Sequence, residues 1–430
     1  MNSRSLVLLV AMFGNISVFA ADHHTPLITL YQDLHAHPEL SFQEKNTAAR
    51  IASELESAGF AVTRNIGGHG VVGLLKNGPG PTIMLRTDLD GLPVKELTGL
   101  AYASQAQAIE QTGQEVSVMH ACGHDIHMTT FIGTARALAA DKDQWSGTLM
   151  MVAQPAEERG AGARAMLEDG LFERFPRPDF NLALHVSAEY PAGTVKYVPG
   201  WAMANVDSVD ISVRGIGGHG AYPHTTRDPI VLASSIVMNL QTLISRELNP
   251  AKPAVITVGS IHGGSKHNVI SDRVDLQLTV RSYSDEVRDA LLDGIRRVAV
   301  SQARALGFPE DKLPIVTVRE EYTPAVFNNP ELTARLADVF RGEFGADKVS
   351  LGTASMGGED FARYSRVEPA IPSVLFWLGA VKQSSYDAAQ NGGPALPSLH
   401  SAYFAPDPVP TIKAGVAAMT SAAMDLLDSK

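Results

Sequence analysis

Thiols are nearly absent from this 430-residue chain: Cys122 is the one cysteine. A disulfide framework within the chain is therefore excluded. Long apolar runs are scarce as well. After residue 20 nothing approaches the roughly 20 consecutive apolar residues that a spanning helix needs, so we expect a soluble mature protein. Positive charge is in deficit, with 35 Lys and Arg against 46 Asp and Glu. Nucleic acid binds through clustered cationic side chains, so a nucleic-acid partner is not expected. Low-complexity tracts and short repeats are missing too. A hydrophobic share of 45% with 19% charged residues is the balance of a globular chain.

The first twenty residues are of a different kind. Arg4 supplies one positive charge, residues 5–20 are largely apolar, and Val18 and Ala20 put small side chains where a signal peptidase cuts before Ala21. We expect a signal peptide over 1–20 and a secreted or periplasmic protein, a retained anchor being the alternative. Removing it takes away Arg4 and no acid, so the formal charge moves from −11 to −12. An oxidising compartment pairs thiols, and Cys122 has no partner in its own chain. Either it is buried and inert, or a metal ion holds it as a thiolate.

A chain of this length exceeds one ordinary core, so two domains are expected. Residues 27–60 show helical spacing. Strands are expected at "VVGLLK", "TIMLRTD", "GTLMMVAQ" and "FNLALHV", with helices after His124 and near "GAGARAMLEDGLF". Strands alternating with helices predict an α/β unit with a mostly parallel sheet. The pattern changes near Pro199. "NVDSVDISVRG" alternates apolar and polar side chains, as a half-buried strand does. A helix, two strands, a helix and a strand follow, in the β-α-β-β-α-β order of a ferredoxin-like unit. Residues 200–321 are thus expected to form a small α+β domain inserted into an α/β domain built from 21–199 and 322–430. "SVLFWLGA" reads as a buried strand and residues 382–398 as a polar loop.

In an open α/β sheet, ligands bind beyond the carboxyl ends of the strands. Asp88 ends one expected strand, Glu157 and Glu158 follow another, and His185 lies near the end of a third. The loop after "SVLFWLGA" leads to His400, and Cys122 and His124 stand just before an expected helix. Each has an ordinary explanation alone: a helix cap, first-turn charge, a hydrogen-bonded histidine. Five segments delivering metal-competent side chains to one sheet edge is the less ordinary fact. Cys, His and Glu suit a borderline divalent ion. A pair of cations would need a bridging ligand, and a thiolate bridge fits zinc without excluding manganese, cobalt or nickel. Adjacent Glu157 and Glu158 point different ways in extended backbone. One could bind metal while the other faces the attacking water as general base.

The stretches "MHACGHDIHM", "QPAEERGAGARAML", "LALHV", "GGHGAYPH", "HNVISD", "MGGEDFARY" and "HSAYF", in order from about residue 27 to the C-terminus, resemble the metal-dependent aminoacylase and hippurate hydrolase family. That family is related to glutamate carboxypeptidase-type metallopeptidases. The resemblance implies two divalent metal ions held by Cys122, His124, Glu158, His185 and His400, with the thiolate bridging. It implies Glu157 as general base and Asp88 as the acid that orients a ligand histidine. On an inserted lid, it implies His219 for the oxyanion and Asn268 and Arg281 for gripping substrate. The implied reaction is hydrolysis of N-acyl or N-aroyl amino acids, and the implied partner is a second copy joined through the lid. Arg159, in "AEERGAG", departs from the small or neutral residue common there, and Ser271 from a usual Pro. Three other readings stay open: a dipeptidase or carboxypeptidase on the same core, a thiol hydrolase with Cys122 as nucleophile and His124 as base, and a metal or ligand carrier without catalysis.

Overall fold

The computed structural model describes residues 24–320 and 322–427, so the expected signal peptide lies outside the described residues. The larger unit is built on an eight-stranded sheet. Its strands run in the order Ala61–Ile66, Gly70–Asn77, Gly147–Gln154, Thr82–Asp88, Phe180–Pro191, Ser373–Val381, Val195–Tyr197 and Val349–Leu351. The four central strands pair in parallel, and antiparallel pairs flank them. The result is the mixed α/β fold with a mostly parallel sheet that the alternating pattern implies.

Side-chain alternation divides this sheet into two apolar layers. Ile83, Leu85, Leu149, Met151, Leu182, Leu184, Phe376 and Leu378 pack under helices His24–Ala36, Lys45–Ser57, His124–Ala140 and Pro408–Leu427. Met84, Met150, Val152, Ala183, Leu375 and Trp377 point to the other face, against Ala163, Met166 and Tyr364. The helical stretch expected over 27–60 is two helices, broken between Ala36 and Lys45. Pro38 has no N–H to donate and restricts the residue before it, which accounts for the interruption. The expected loop at 382–398 also needs correcting, because Gln383–Gln390 is a helix with no buried side chain. Its polar composition conceals it from a hydrophobic-period reading.

The inserted unit has its own core. Strands Ala254–Gly263, Arg273–Ser282, Asn205–Arg214 and Ile315–Val318 form an antiparallel sheet in that order. Helices Pro229–Thr242 and Asp285–Ala305 cover one face. Asn205–Arg214 alternates buried and half-exposed residues along its whole length. Asp228 and Ser284 cap the two helices through the N–H groups of Ile230 and Val287. The chain passes between the units twice. Val206 and Thr323 exchange backbone hydrogen bonds at the joint, and the Ala204 N–H donates to the carbonyls of Ser355 and Gly357. The short strand Gly200–Met203 pairs with Val326–Asn328 outside the small sheet, so the antiparallel ladder begins at Asn205. No helix among the described residues is long and apolar enough to cross a membrane.

Candidate metal centre

Four structural devices bring the candidate donors to one edge of the large sheet. Gly123 precedes the helix His124–Ala140 with φ +80, a left-handed backbone, and a Cβ there would lie 2.5 Å from Val186 Cγ2. That close approach sets Cys122 and His124 against the His185 strand. Ala156, after the strand Gly147–Gln154, also has positive φ (+51). Its N–H donates to the buried Glu44 carboxylate at 2.7 Å, and this strained turn points Glu157 and Glu158 inward. His185 sits mid-strand, in register with Trp377, their ring centroids 5.2 Å apart. His400, again at positive φ (+66), is tied by its N–H to the Ala121 carbonyl at 2.9 Å.

The donor atoms converge. Cys122 Sγ lies 3.5 Å from His185 Nε2 and 3.3 Å from His400 Nε2. His400 Nε2 is 3.6 Å from Glu158 Oε2, and His124 Nε2 is 3.8 Å from both Glu158 Oε1 and Glu157 Oε2. Two tetrahedral donors on one ion at ~2.0–2.3 Å stand about 3.3–3.8 Å apart, which is the spacing seen. Of five donor trios whose atoms lie within 4.8 Å of one another among the described residues, two contain the thiol, Cys122–His124–His185 and Cys122–Glu158–His400.

Hydrogen bonding orients the metal-facing atoms. His124 Nδ1 donates to the Asp90 carbonyl at 2.8 Å and His185 Nδ1 to the Val186 carbonyl at 2.7 Å, so each ring turns its Nε2 toward the cluster. His124 Nε2 and Glu158 Oε1 are buried without any hydrogen-bond partner, which is costly unless something else completes them. Charge balance points the same way. Burial and then the Glu158 and Glu157 carboxylates push the Cys122 thiol well up. Burial raises Glu158 to about 8 against the pull of His124, and burial with Glu359 and Glu158 raises Glu157 well above the usual range. Burial keeps His185 neutral. Cations supply what this acid-rich, nearly dry cluster lacks, and the donor set fits two of them.

Other expected residues are placed differently. Asp88 hydrogen-bonds His127 Nδ1 at 2.8 Å, while His124 Nδ1 is 3.7 Å from the same oxygen. His127 in turn accepts from the Val186 N–H at 2.9 Å, so Asp88 steadies the His185 strand through a histidine that sequence reading passed over. Asp90 was missed as well; its carboxylate accepts from the Glu158 N–H and from Ser41 Oγ. Behind Glu157 stand Glu359 and Asp360, held by the fully buried Arg86. "MGGEDFARY" was the available signal for those two. Arg159 turns its guanidinium toward the Phe42 ring, 5.8 Å from the centroid.

The lid residues are not brought to the cluster. His219 and Asn268 are exposed neighbours, joined where Gly218–His219 pairs with Val269–Ile270 and where the Gly220 N–H donates to the Asn268 carbonyl. Among the described residues no hydrogen bond or ion pair links either to the candidate donor side chains. Arg281 is half-buried at the joint between the units and donates to the Met356 carbonyl at 2.6 Å.

Comparisons with known proteins agree with this geometry. The chain is 35% identical over 340 residues to the hippurate hydrolase of Campylobacter jejuni, covering 78% of this chain and 84% of that one. It is 34% identical over 357 residues to thermostable carboxypeptidase 1 of Saccharolobus solfataricus, covering 82% and 85%. Its fold matches the crystal structure of the Bacillus subtilis YXEP protein, described as a dinuclear metal binding peptidase from the M20 family. The TM-score is 0.75 at 30% identity, over 95% of this chain and 99% of that one. A family model matches residues 84–396, and with it the chain belongs to peptidase family M20/M25/M40, as a metal-dependent amide hydrolase.

Proposed function

We propose that this enzyme hydrolyses N-acyl or N-aroyl amino acids to a carboxylic acid and a free amino acid. The observation that carries the proposal is Cys122, shared by two donor trios with Glu157 beside them. Cys122, His124, His185, Glu158 and His400 would hold two divalent ions, zinc or manganese by donor chemistry. Such ions, when bound, polarise the amide carbonyl and acidify a water molecule. Glu157 then does the proton work. It takes the proton of the attacking water and returns it to the leaving nitrogen. Its buried position beside Glu359 and Glu158 favours the protonated form, which suits the second of those tasks.

The lid contributes recognition. Arg281 grips the amino acid's carboxylate, for which a guanidinium fork is well shaped. Asn268 assists, and His219 stabilises the oxyanion. Because His219 and Asn268 stand away from the donors here, this requires the lid to close or a second copy to supply them, as a homodimer joined through the lid would. The N-terminal pattern supports work outside the cytoplasm. Similarity to hippurate hydrolase supports the acyl-amino-acid substrate, and similarity to carboxypeptidase 1 supports a peptide-cleaving second reading. A thiol-nucleophile mechanism is disfavoured: burial opposes the thiolate, and the nearest imidazoles are those of His185 and His400.

The deciding experiment is turnover of hippurate, other N-acyl amino acids and dipeptides by protein of measured metal content. Glu157→Gln should lower kcat by ~10²–10⁴ while metal stoichiometry stays at two. Near-normal turnover in that variant removes Glu157 as base. Cleavage of dipeptides alone moves the assignment to the second reading.

A further inference from the structure

We propose that a cavity beside the donors receives the side chain of a diamino acid, and that Glu189 pairs with its distal ammonium group. This rests on the acyl-amino-acid reading above and narrows it. The cavity has a volume of about 550 Å³. Its wall includes Ser187, Glu189, Tyr190, Trp377, Leu396 and Leu399. Trp377 is the register partner of His185, and Leu399 directly precedes His400, so the space opens next to the reacting amide. An acetyl group or a glycine would leave it mostly empty; a long side chain fills it.

Charge identifies the occupant. Glu189 is the one charged residue on this wall, and its carboxylate makes no hydrogen bond or ion pair with any described residue. Its placement follows from the strand. Ser187 pairs with Gly379 and Pro191 with Val381, so three residues on one strand stand between the pairs against one on the other. That bulge turns Glu189 and Tyr190 out of the regular ladder and toward the cavity. The faces of Tyr190 and Trp377 attract a cation. Lys196 already sits 5.0 Å from the Tyr190 ring, off the cavity wall and bound to Ser350. Leu396 and Leu399 provide an apolar track for a methylene stem. The cavity also reaches Ser355, next to the Met356 carbonyl that holds Arg281 at 2.6 Å. The half of the substrate whose carboxylate meets Arg281 is therefore the half whose side chain enters here.

The test compares kcat/KM for Nα-benzoyl-lysine and Nα-benzoyl-norleucine, using the metal-loaded enzyme. Wild type should prefer lysine on the order of tenfold, the worth of one partly exposed ion pair with aromatic support. The ratio should fall toward one in Glu189→Gln, and Glu189→Lys should favour Nα-benzoyl-glutamate. A wild-type ratio near one, or a preference that survives Glu189→Gln, overturns the inference. Calorimetry on the Glu157→Gln protein separates the two readings. A lysine preference in binding that Glu189→Gln removes, with no turnover of any benzoyl-amino acid, sinks the hydrolysis assignment and sustains this one. Turnover with equal binding of both ligands does the opposite.

Discussion

Replacing His35 by Gln tests how the wall behind the metal centre is held. His35 is 1% exposed and stands between two carboxylates, Asp125 at 2.6 Å and Glu96 at 3.1 Å. Asp125 follows the candidate ligand His124 in the helix, so this contact anchors the helix start. Burial works against a charged imidazole here, but the hydrogen bonds to Asp125 and Glu96 outweigh it and hold the pKa at about 10. The folded value is raised above the ordinary 6.5. The stabilisation is therefore fully present below about pH 6.5 and is lost as pH rises through 10. Removing one member of a buried charged group costs about 3–5 kcal/mol, because the partners are left uncompensated. In a domain of this size that is a fall in Tm of about 5–10 °C at pH 7. The assay is thermal unfolding of wild type and His35→Gln, both metal-loaded, between pH 6 and pH 10.5. The gap between them should be widest at pH 6 and 7 and should close toward pH 10.5. A gap that stays constant across that range would refute a charged His35 and leave only its packing against Tyr31 and Tyr102.

Gly123→Ala adds a methyl 2.5 Å from Val186 Cγ2 at a left-handed backbone position. It should cost about 1–3 kcal/mol and weaken metal binding, both read from Tm and from metal titration. Cys122→Ser replaces the shared soft donor by a hydroxyl. Divalent-metal content should drop below two per chain, and retention of two tightly bound ions would show that the thiolate does not bridge. Arg281→Ala should raise KM for acyl-amino acids at least tenfold with a smaller effect on kcat, and should spare binding of substrates that lack the carboxylate. Equal losses for both substrate types would make Arg281 a structural tie to Met356.

Some of this molecule is plain in its sequence because its periodicities are local. The alternation in Asn205–Arg214 reports a half-buried strand directly, and the unbroken apolar run Ser373–Val381 reports a strand covered on both faces. The donor residues were legible for a related reason. Glu157 and Glu158 follow a strand and Cys122 and His124 stand at a helix start, where an α/β sheet presents side chains, while His185, expected near a strand end, lies mid-strand. What escaped depends on distant chain segments meeting. Nothing near Asp88 reveals that its hydrogen bond goes to His127, 39 residues away. The bond between Arg86 and Glu359 spans 273 residues. The helix Gln383–Gln390 carries no apolar stripe and so gave no signal. The pairing that sets His219 beside Asn268, 49 residues on, is likewise invisible in either local stretch.

The two crossings of the chain between those units have an evolutionary corollary. Every candidate donor and the base come from the outer segments, whereas Arg281, Asn268 and His219 come from the insertion. On the proposed assignment, mutations that remodel the insertion change how substrate is held and how its oxyanion is met, while the candidate metal donors and the base stay in place. Chimeras that exchange the insertion at its two seams, near Ala204 and Thr323, would separate what the insertion contributes to selectivity from what the Glu189 cavity of the outer segments contributes.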